Sequence, residues 1–476
     1  MPEDDLVSMQ YPGADGSAGH VAPTIEEDGL PGPRRYWAMA TIFLGISMAV
    51  LDGTISNVAL PTIARDLHVS PASSIWVVNA YQLAITVSLL PLASLGEIVG
   101  YQRVYRAGLV LFVVGSLLCS LSGSLVGLTL ARVLQGFGAA GIMSVNAALL
   151  RFIYPKRHLG RSIGLNAMVV ALATAVGPTV AAGILSLANW PWLFAVNVPI
   201  GIVAVLIAIT SLPRTPVAVR PFDTLSALLS AATFGLLIVS IDSVGHKSDM
   251  PLLIATTVAT LACGILLVRR QFGQAAPLLP IDLLRIPIFA LSIATSVMSF
   301  AAQMLAFVSL PFYIQNTLGH SEVQTGLLLT PWPLALVVVA PMAGRLSDRV
   351  PAGLLGALGL VALAAGLLLI AALPAHPDNV ALIWRLALCG AGFGLFQTPN
   401  NRTMLLSAPR SRAGGASGML STARLLGQTS GAALVAMIFL LTHDHGSTAC
   451  MEVGAAFALV AAIISLSRLG TARTSG

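Results

Sequence analysis

Asp52 sits in the apolar stretch Met48-Ala49-Val50-Leu51-Asp52-Gly53-Thr54-Ile55 and is the only acidic residue placed well inside a stretch of this kind. A carboxylate surrounded by hydrocarbon is costly enough that it is usually functional. Burial and a neighbouring guanidinium pull its proton affinity in opposite directions, so such a group can be poised to take up and release a proton. The alternative is a permanent hydrogen-bond acceptor that anchors helices. Arg132 lies seven residues past the start of one apolar span and Asp52 eight before the end of another. At about 1.5 Å per helical residue the two reach similar depths. They are expected to be coupled, with Arg132 tuning when Asp52 holds a proton; a static arginine bound to carbonyls is the competing reading.

Other residues carry weaker signals. Gly136-Phe137-Gly138-Ala139-Ala140-Gly141 has the bare spacing of a dinucleotide-binding loop, but that fingerprint needs a preceding strand and a ribose-binding acid about 20 residues on. Here the run lies in an apolar helix and continues to Arg151 without such an acid, so close packing through small residues is the reading. Polar and aromatic residues well inside apolar stretches are candidates to line a pocket: Asn79, Tyr81, Gln82, Asn146, Asn166, Gln303, Phe307, Gln315, Gln397 and Asn400. Each taken singly fits a helix-to-helix hydrogen bond equally well. Two short loops pair acid with base, Glu97 with Gly100 and Arg103, and Gly344 with Asp348 and Arg349. They could serve as charged latches made and broken as helices move, or as static solvated loops. Cys119, Cys263, Cys389 and Cys450 are scattered singly and read as packing residues, and no metal or cofactor is expected.

These residues need a frame that holds them in a bilayer. The 476 residues are 56% hydrophobic and 9% charged, whereas an average soluble domain is roughly a quarter charged. Apolar windows recur near 36–60, 74–96, 104–124, 125–150, 162–188, 192–212, 224–242, 250–268, 288–315, 323–344, 352–373, 380–401, 414–442 and 450–467. Each is near the length of about 20 residues that a helix needs to cross the hydrocarbon. The reading is an all-α integral membrane protein with 14 spans arranged as six, two and six. Its parts are a disordered acidic tail (1–35), a six-helix bundle (36–212), two inserted helices with flanking loops (213–287), a second six-helix bundle (288–467) and a short tail (468–476). With both tails cytoplasmic, 20 of the 25 Lys and Arg fall on the inner side, Arg468 among them, and only Arg65 and Lys247 fall outside. Arg132, Arg385 and Arg424 lie within spans. Adding or dropping one span would scramble that asymmetry, so the net charge of +6 reflects topology and not nucleic-acid binding.

Several motifs carry a family resemblance. Leu51-Asp52-Gly53-Thr54-Ile55-Ser56-Asn57-Val58-Ala59-Leu60-Pro61 closely resembles the first-helix signature of the fourteen-span drug:proton antiporters of the major facilitator superfamily. Arg132-Val133-Leu134-Gln135-Gly136 resembles that family's buried-arginine motif, and Gly177-Pro178-Thr179-Val180-Ala181-Ala182-Gly183 its antiporter motif. Trp190-Pro191-Trp192-Leu193-Phe194-Ala195-Val196-Asn197-Val198-Pro199 resembles the entry to the sixth span, with Pro191 where an arginine is usual. Gly415-Ala416-Ser417-Gly418 with Arg424 and Gly427 resembles the penultimate span. The likeness covers about residues 36–467. The loop from Glu97 to Arg103 departs from the family's more strongly charged pattern, whereas Gly344 to Arg349 fits it better.

The resemblance implies the major facilitator fold and proton-coupled export of small amphipathic compounds, of multidrug efflux type, with a role in antibiotic resistance. Gly177, Pro178 and Gly183 would then bend or seal the fifth span against leaks; a simple packing kink explains them as well. The expected partners are protons, a small amphipathic substrate and the lipid bilayer of a bacterial inner membrane, with the chain acting as a monomer. A lipophilic monocation, or a neutral or weakly acidic compound, suits the spans of the second half better than a dication, because those spans hold no acid in the pathway. No Gly-x-x-x-x-Gly-Lys-Ser/Thr stretch is present, which argues against a nucleotide-driven pump. Export of one dedicated metabolite is the alternative within the fold. A membrane enzyme or sensor is the alternative outside it, and the histidines, all in loops or the tail, do not favour it.

Overall fold

A segment in hydrocarbon must satisfy its own backbone hydrogen bonds, and a helix does this within one continuous stretch. The computed structural model describes residues 29–155, 159–217, 221–245, 250–271, 281–374, 377–409, 413–442 and 445–473. Most of the acidic tail, with Lys156, Arg157, Arg220, Lys247, Arg410 and Arg412, lies outside the described residues. Among the described residues, 14 helices are long and apolar enough to cross a membrane. The first six are α1 (Gly32–Asp66), α2 (Pro71–Val99), α3 (Tyr101–Ser120), α4 (Leu125–Ile153), α5 (Leu159–Leu187) and α6 (Trp192–Ser211). Two more follow, α7 (Thr224–Gly245) and α8 (Met250–Gln271). The last six are α9 (Pro287–Thr317), α10 (Glu322–Leu346), α11 (Ala352–Ala371), α12 (Asn379–Ser407), α13 (Ala413–Thr442) and α14 (Gly446–Arg473). An even number of spans leaves both ends of the chain on one face, here the terminal face; the other is the far face.

Packing runs mainly within the first six and within the last six. In the first set α4 packs on α2 and α3, and α1 on α5 and α6; in the last, α12 packs on α10 and α11, and α9 on α13 and α14. The two sets meet through α5 with α10, α2 with α13, and α1 with α9. α7 rests against α2 and α13, while α8 packs on α7 and turns Leu252, Ile254, Val258, Leu261 and Ile265 outward, as a lipid-facing helix does. The largest buried cluster lies toward the far face and joins the sets, with Ile55, Ile63 and Val78 from one and Phe300, Ile314 and Trp332 from the other.

Several boundaries differ from the apolar windows. α1 begins at Gly32, inside the stretch read as tail, because Pro31 precedes it and Arg34 finds acceptors at the carbonyls of Ser211 (3.1 Å) and Leu212 (3.3 Å). α14 runs past 467 to Arg473, so Arg468 is a helix residue and not a tail charge. It is only 3% exposed and donates to Asn400 Oδ1 (2.6 Å), Ser292 Oγ (3.0 Å) and Ser465 Oγ. A buried guanidinium is tolerated when its donors are satisfied, which this cluster does.

Candidate functional site

The site is built around Asp52, near the middle of α1 and 2% exposed. Its Oδ2 accepts from Arg132 Nη1, a buried ion pair. Its Oδ1 accepts from Gln135 Nε2 (2.8 Å) and from Asn197 Nδ2 (3.0 Å). Arg132 and Gln135 are three apart on α4 and so share one face of the helix. Arg132 Nη1 also donates to Gln135 Oε1 (2.6 Å), its Nε to the carbonyl of Val77 on α2 (3.0 Å), and Gln135 Nε2 to Ser116 Oγ on α3 (2.8 Å). One carboxylate therefore ties α1 to α4 and α6, and through their side chains to α2 and α3. The remaining nitrogen of Arg132, Nη2, finds no hydrogen-bond acceptor among the described residues. The guanidinium instead lies over the Tyr81 ring, 4.0 Å from its centroid, with Phe194 at 5.5 Å. A ring face attracts a cation, more so when it is shielded from water.

Tyr81 separates this network from a cavity of about 110 Å³ between the two sets of helices. Its hydroxyl donates to the carbonyl of Ala49 (2.8 Å), fixing the ring between α2 and α1. Of the pocket candidates, Tyr81, Gln82, Gln303 and Phe307 line the cavity, together with Asn57, Arg424 and Gln428. The others do not line it. Asn146 Nδ2 donates to Asn166 Oδ1 (3.0 Å), while Asn146 Oδ1 is buried without a donor among the described residues. Asn400 belongs to the Arg468 cluster, Gln315 donates to the carbonyl of Val58 (2.9 Å), and Asn79 is buried elsewhere. Gln397 is half-buried but outside the lining. Gln135 and Asn197 bind the central carboxylate yet were read only as parts of longer motifs; for Gln135 the spacing from Arg132 was the available signal.

Gly177 on α5 faces Thr54 on α1 so closely that an added Cβ would collide with Thr54 Oγ1, two residues from Asp52. The carbonyl of the next residue, Pro178, stands against Gly326 of α10, and α5 stays helical through the proline. Gly183 has open space where a Cβ would go, so close packing does not require a glycine there. On the terminal face Gly100 adopts φ +100°, a conformation open to glycine, as the chain turns from α2 into α3. Arg103 donates to the carbonyl of Val99 (3.3 Å), and Glu97 is exposed. Asp348 accepts from Arg402 at the end of α12 (2.6 Å), while Gly344 lies against Thr398 and Arg349 is exposed. Among the described residues no group of His, Cys, Asp and Glu could hold a metal ion.

A family model of the Major Facilitator Superfamily matches residues 42–432. The chain is 58% identical to the transporter YebQ of Escherichia coli over 454 residues, covering 95% of this chain and 99% of that protein. It is 30% identical to the riboflavin transporter RibZ of Clostridioides difficile over 416 residues, covering 87% and 90%. It is 31% identical to the multidrug resistance protein Stp of Mycobacterium tuberculosis over 400 residues, covering 83% and 74%. With 14 apolar helices among its described residues and a match over most of its length, the chain belongs to the Major Facilitator Superfamily of membrane transporters.

Proposed function

We propose that the chain is a proton-coupled secondary active exporter of small amphipathic compounds, of multidrug efflux type. It works in the bacterial inner membrane with the terminal face cytoplasmic. The observation that carries this reading is the buried Asp52–Arg132 pair, held by Gln135 and Asn197 and standing one ring away from a cavity. Protonating Asp52 cancels one charge of the pair, leaves Arg132 uncompensated and weakens the acceptor that three donors share. The joints between α1, α4 and α6 loosen as a result. Segments 36–212 and 288–467 then act as two bundles that rock about the cavity, with 213–287 riding at the seam and the loops around Glu97–Arg103 and Gly344–Arg349 as latches. The Gly177–Thr54 and Pro178–Gly326 approaches support a tight seam that keeps protons from leaking while the bundles move. Stp carries a multidrug resistance name, which favours the efflux reading. RibZ is a riboflavin transporter, which favours the second reading, export of one dedicated compound by the same machinery.

The test is dye accumulation in inverted vesicles with an acid interior, comparing the native chain with Asp52→Asn. Gradient-driven accumulation of ethidium or fluorescein that disappears in the variant supports the proposal. Equal accumulation in both contradicts a role for Asp52 in coupling, and accumulation of a single metabolite only, among many compounds offered, moves the reading to dedicated export.

A further inference from the structure

Of Arg132, Arg385, Arg424 and Arg468, three find hydrogen-bond acceptors around them. Arg132 is bound by Asp52, Gln135 and the Val77 carbonyl, and Arg468 by Asn400, Ser292 and Ser465. Arg385 donates to the carbonyls of Leu369 (3.1 Å) and Ala381 (2.6 Å). The fourth, Arg424 on α13, lines the cavity and makes no hydrogen bond or ion pair among the described residues; its Nε is buried without an acceptor. No Asp or Glu is among the residues lining that cavity, and Asp52 is spent on Arg132 behind the Tyr81 ring. A guanidinium inside a membrane protein is expensive without a partner, and this one faces a space between the two sets of helices.

We infer that the missing partner is the substrate, and that Arg424 recognises an acidic head group, a carboxylate, phenolate or sulfonate, on an amphipathic compound. The inference rests on the cavity being the substrate site of the proposed exporter, and it narrows the substrate to an organic anion. Gln82, Gln303 and Gln428 add donors beside the guanidinium, while Met304 and Phe307 offer an apolar wall for the body of the molecule. Methionine adapts to irregular shapes, so the wall tolerates variety where the head group is fixed. The guanidinium fork matches a carboxylate or sulfonate in a way that lysine does not.

Fluorescein and rhodamine 123 share a xanthene skeleton but carry opposite charge, so their binding to the purified native chain, read by fluorescence anisotropy, isolates the head group. The native chain should bind fluorescein about tenfold more tightly than rhodamine 123, a conservative share of what a charge-assisted hydrogen bond supplies. Arg424→Gln, checked for a monodisperse, folded state, should lose that preference with rhodamine 123 binding not weakened; Arg424→Lys should keep part of it. A native chain that prefers rhodamine 123, or binds neither dye, overturns the inference, as does an Arg424→Gln variant with fluorescein affinity intact. The native comparison needs no variant to fold. It also needs no gradient, so dye discrimination without gradient-driven transport would sink the antiport reading while leaving Arg424 as the anion site.

Discussion

At the scale of single residues, the centre of the molecule is one carboxylate with three side-chain donors in a dry setting. Truncating one partner of a buried ion pair is far worse than replacing both, because the remaining charge has no water to turn to. Arg132→Ala should therefore destabilise the chain by about 3–5 kcal/mol. The double variant Asp52→Asn with Arg132→Gln should lose clearly less, measured by unfolding in detergent. A double variant as unstable as Arg132→Ala would mean the pair is not the main interaction there. Asp52 and Arg132 were legible in the sequence because a charge in an apolar run is conspicuous and helix rise converts position into depth. Asn197 was not, since an amide at the entry of a span has several ordinary roles and only the fold brings it to Asp52.

At the scale of elements, glycines mark where helix backbones meet, and they are not equivalent. A methyl at Gly177 would meet Thr54, whereas one at Gly183 would meet nothing. Gly177→Ala should thus lower transport severalfold, Gly183→Ala should leave it near native, and Thr54→Ala should restore much of what Gly177→Ala loses. Residues in contact are where additivity fails, so a double-mutant cycle reads this directly; simple additivity of the two changes would rule out the contact as the cause. The run Gly136 to Gly141 is a packing surface of the kind its setting indicated, with Gly138 against Phe112 and Gly141 against Gly108. Span count was legible because length and hydropathy are properties of each segment alone. Span ends were less so: Arg468 looks like a loop charge until Asn400, Ser292 and Ser465 are seen to enclose it.

At the scale of the whole molecule, contacts between the first and last six helices gather toward the far face. Arg65 meets Glu322 (3.2 Å), Thr179 Oγ1 meets Thr330 Oγ1 (2.8 Å), and Gln315 reaches the carbonyl of Val58 (2.9 Å). The exposed Arg65–Glu322 pair contributes about 0–1 kcal/mol, so the shared apolar cluster is the stronger hold. Thr179→Cys paired with Thr330→Cys should form a disulfide that stops transport, with activity returning on reduction. Continued transport by the cross-linked chain would show that α5 and α10 need not part. None of these pairings was legible in the sequence, because which helix of one set faces which of the other is fixed by packing and not by periodicity. Of the ten pocket residues proposed from sequence, only Tyr81, Gln82, Gln303 and Phe307 line the cavity, for the same reason: depth can be counted, but the face a helix turns inward cannot.

The central claim is that Asp52 carries the proton exchanged for substrate, and the most direct measurement separates coupling from passage. In proteoliposomes, fluorescein uptake driven by a pH gradient is compared with fluorescein counterflow at equal pH, for the native chain and for Asp52→Asn. The account predicts that the variant loses gradient-driven uptake while retaining counterflow, because the cavity and Arg424 are untouched. A variant that still concentrates the dye against its gradient as the native chain does would contradict it.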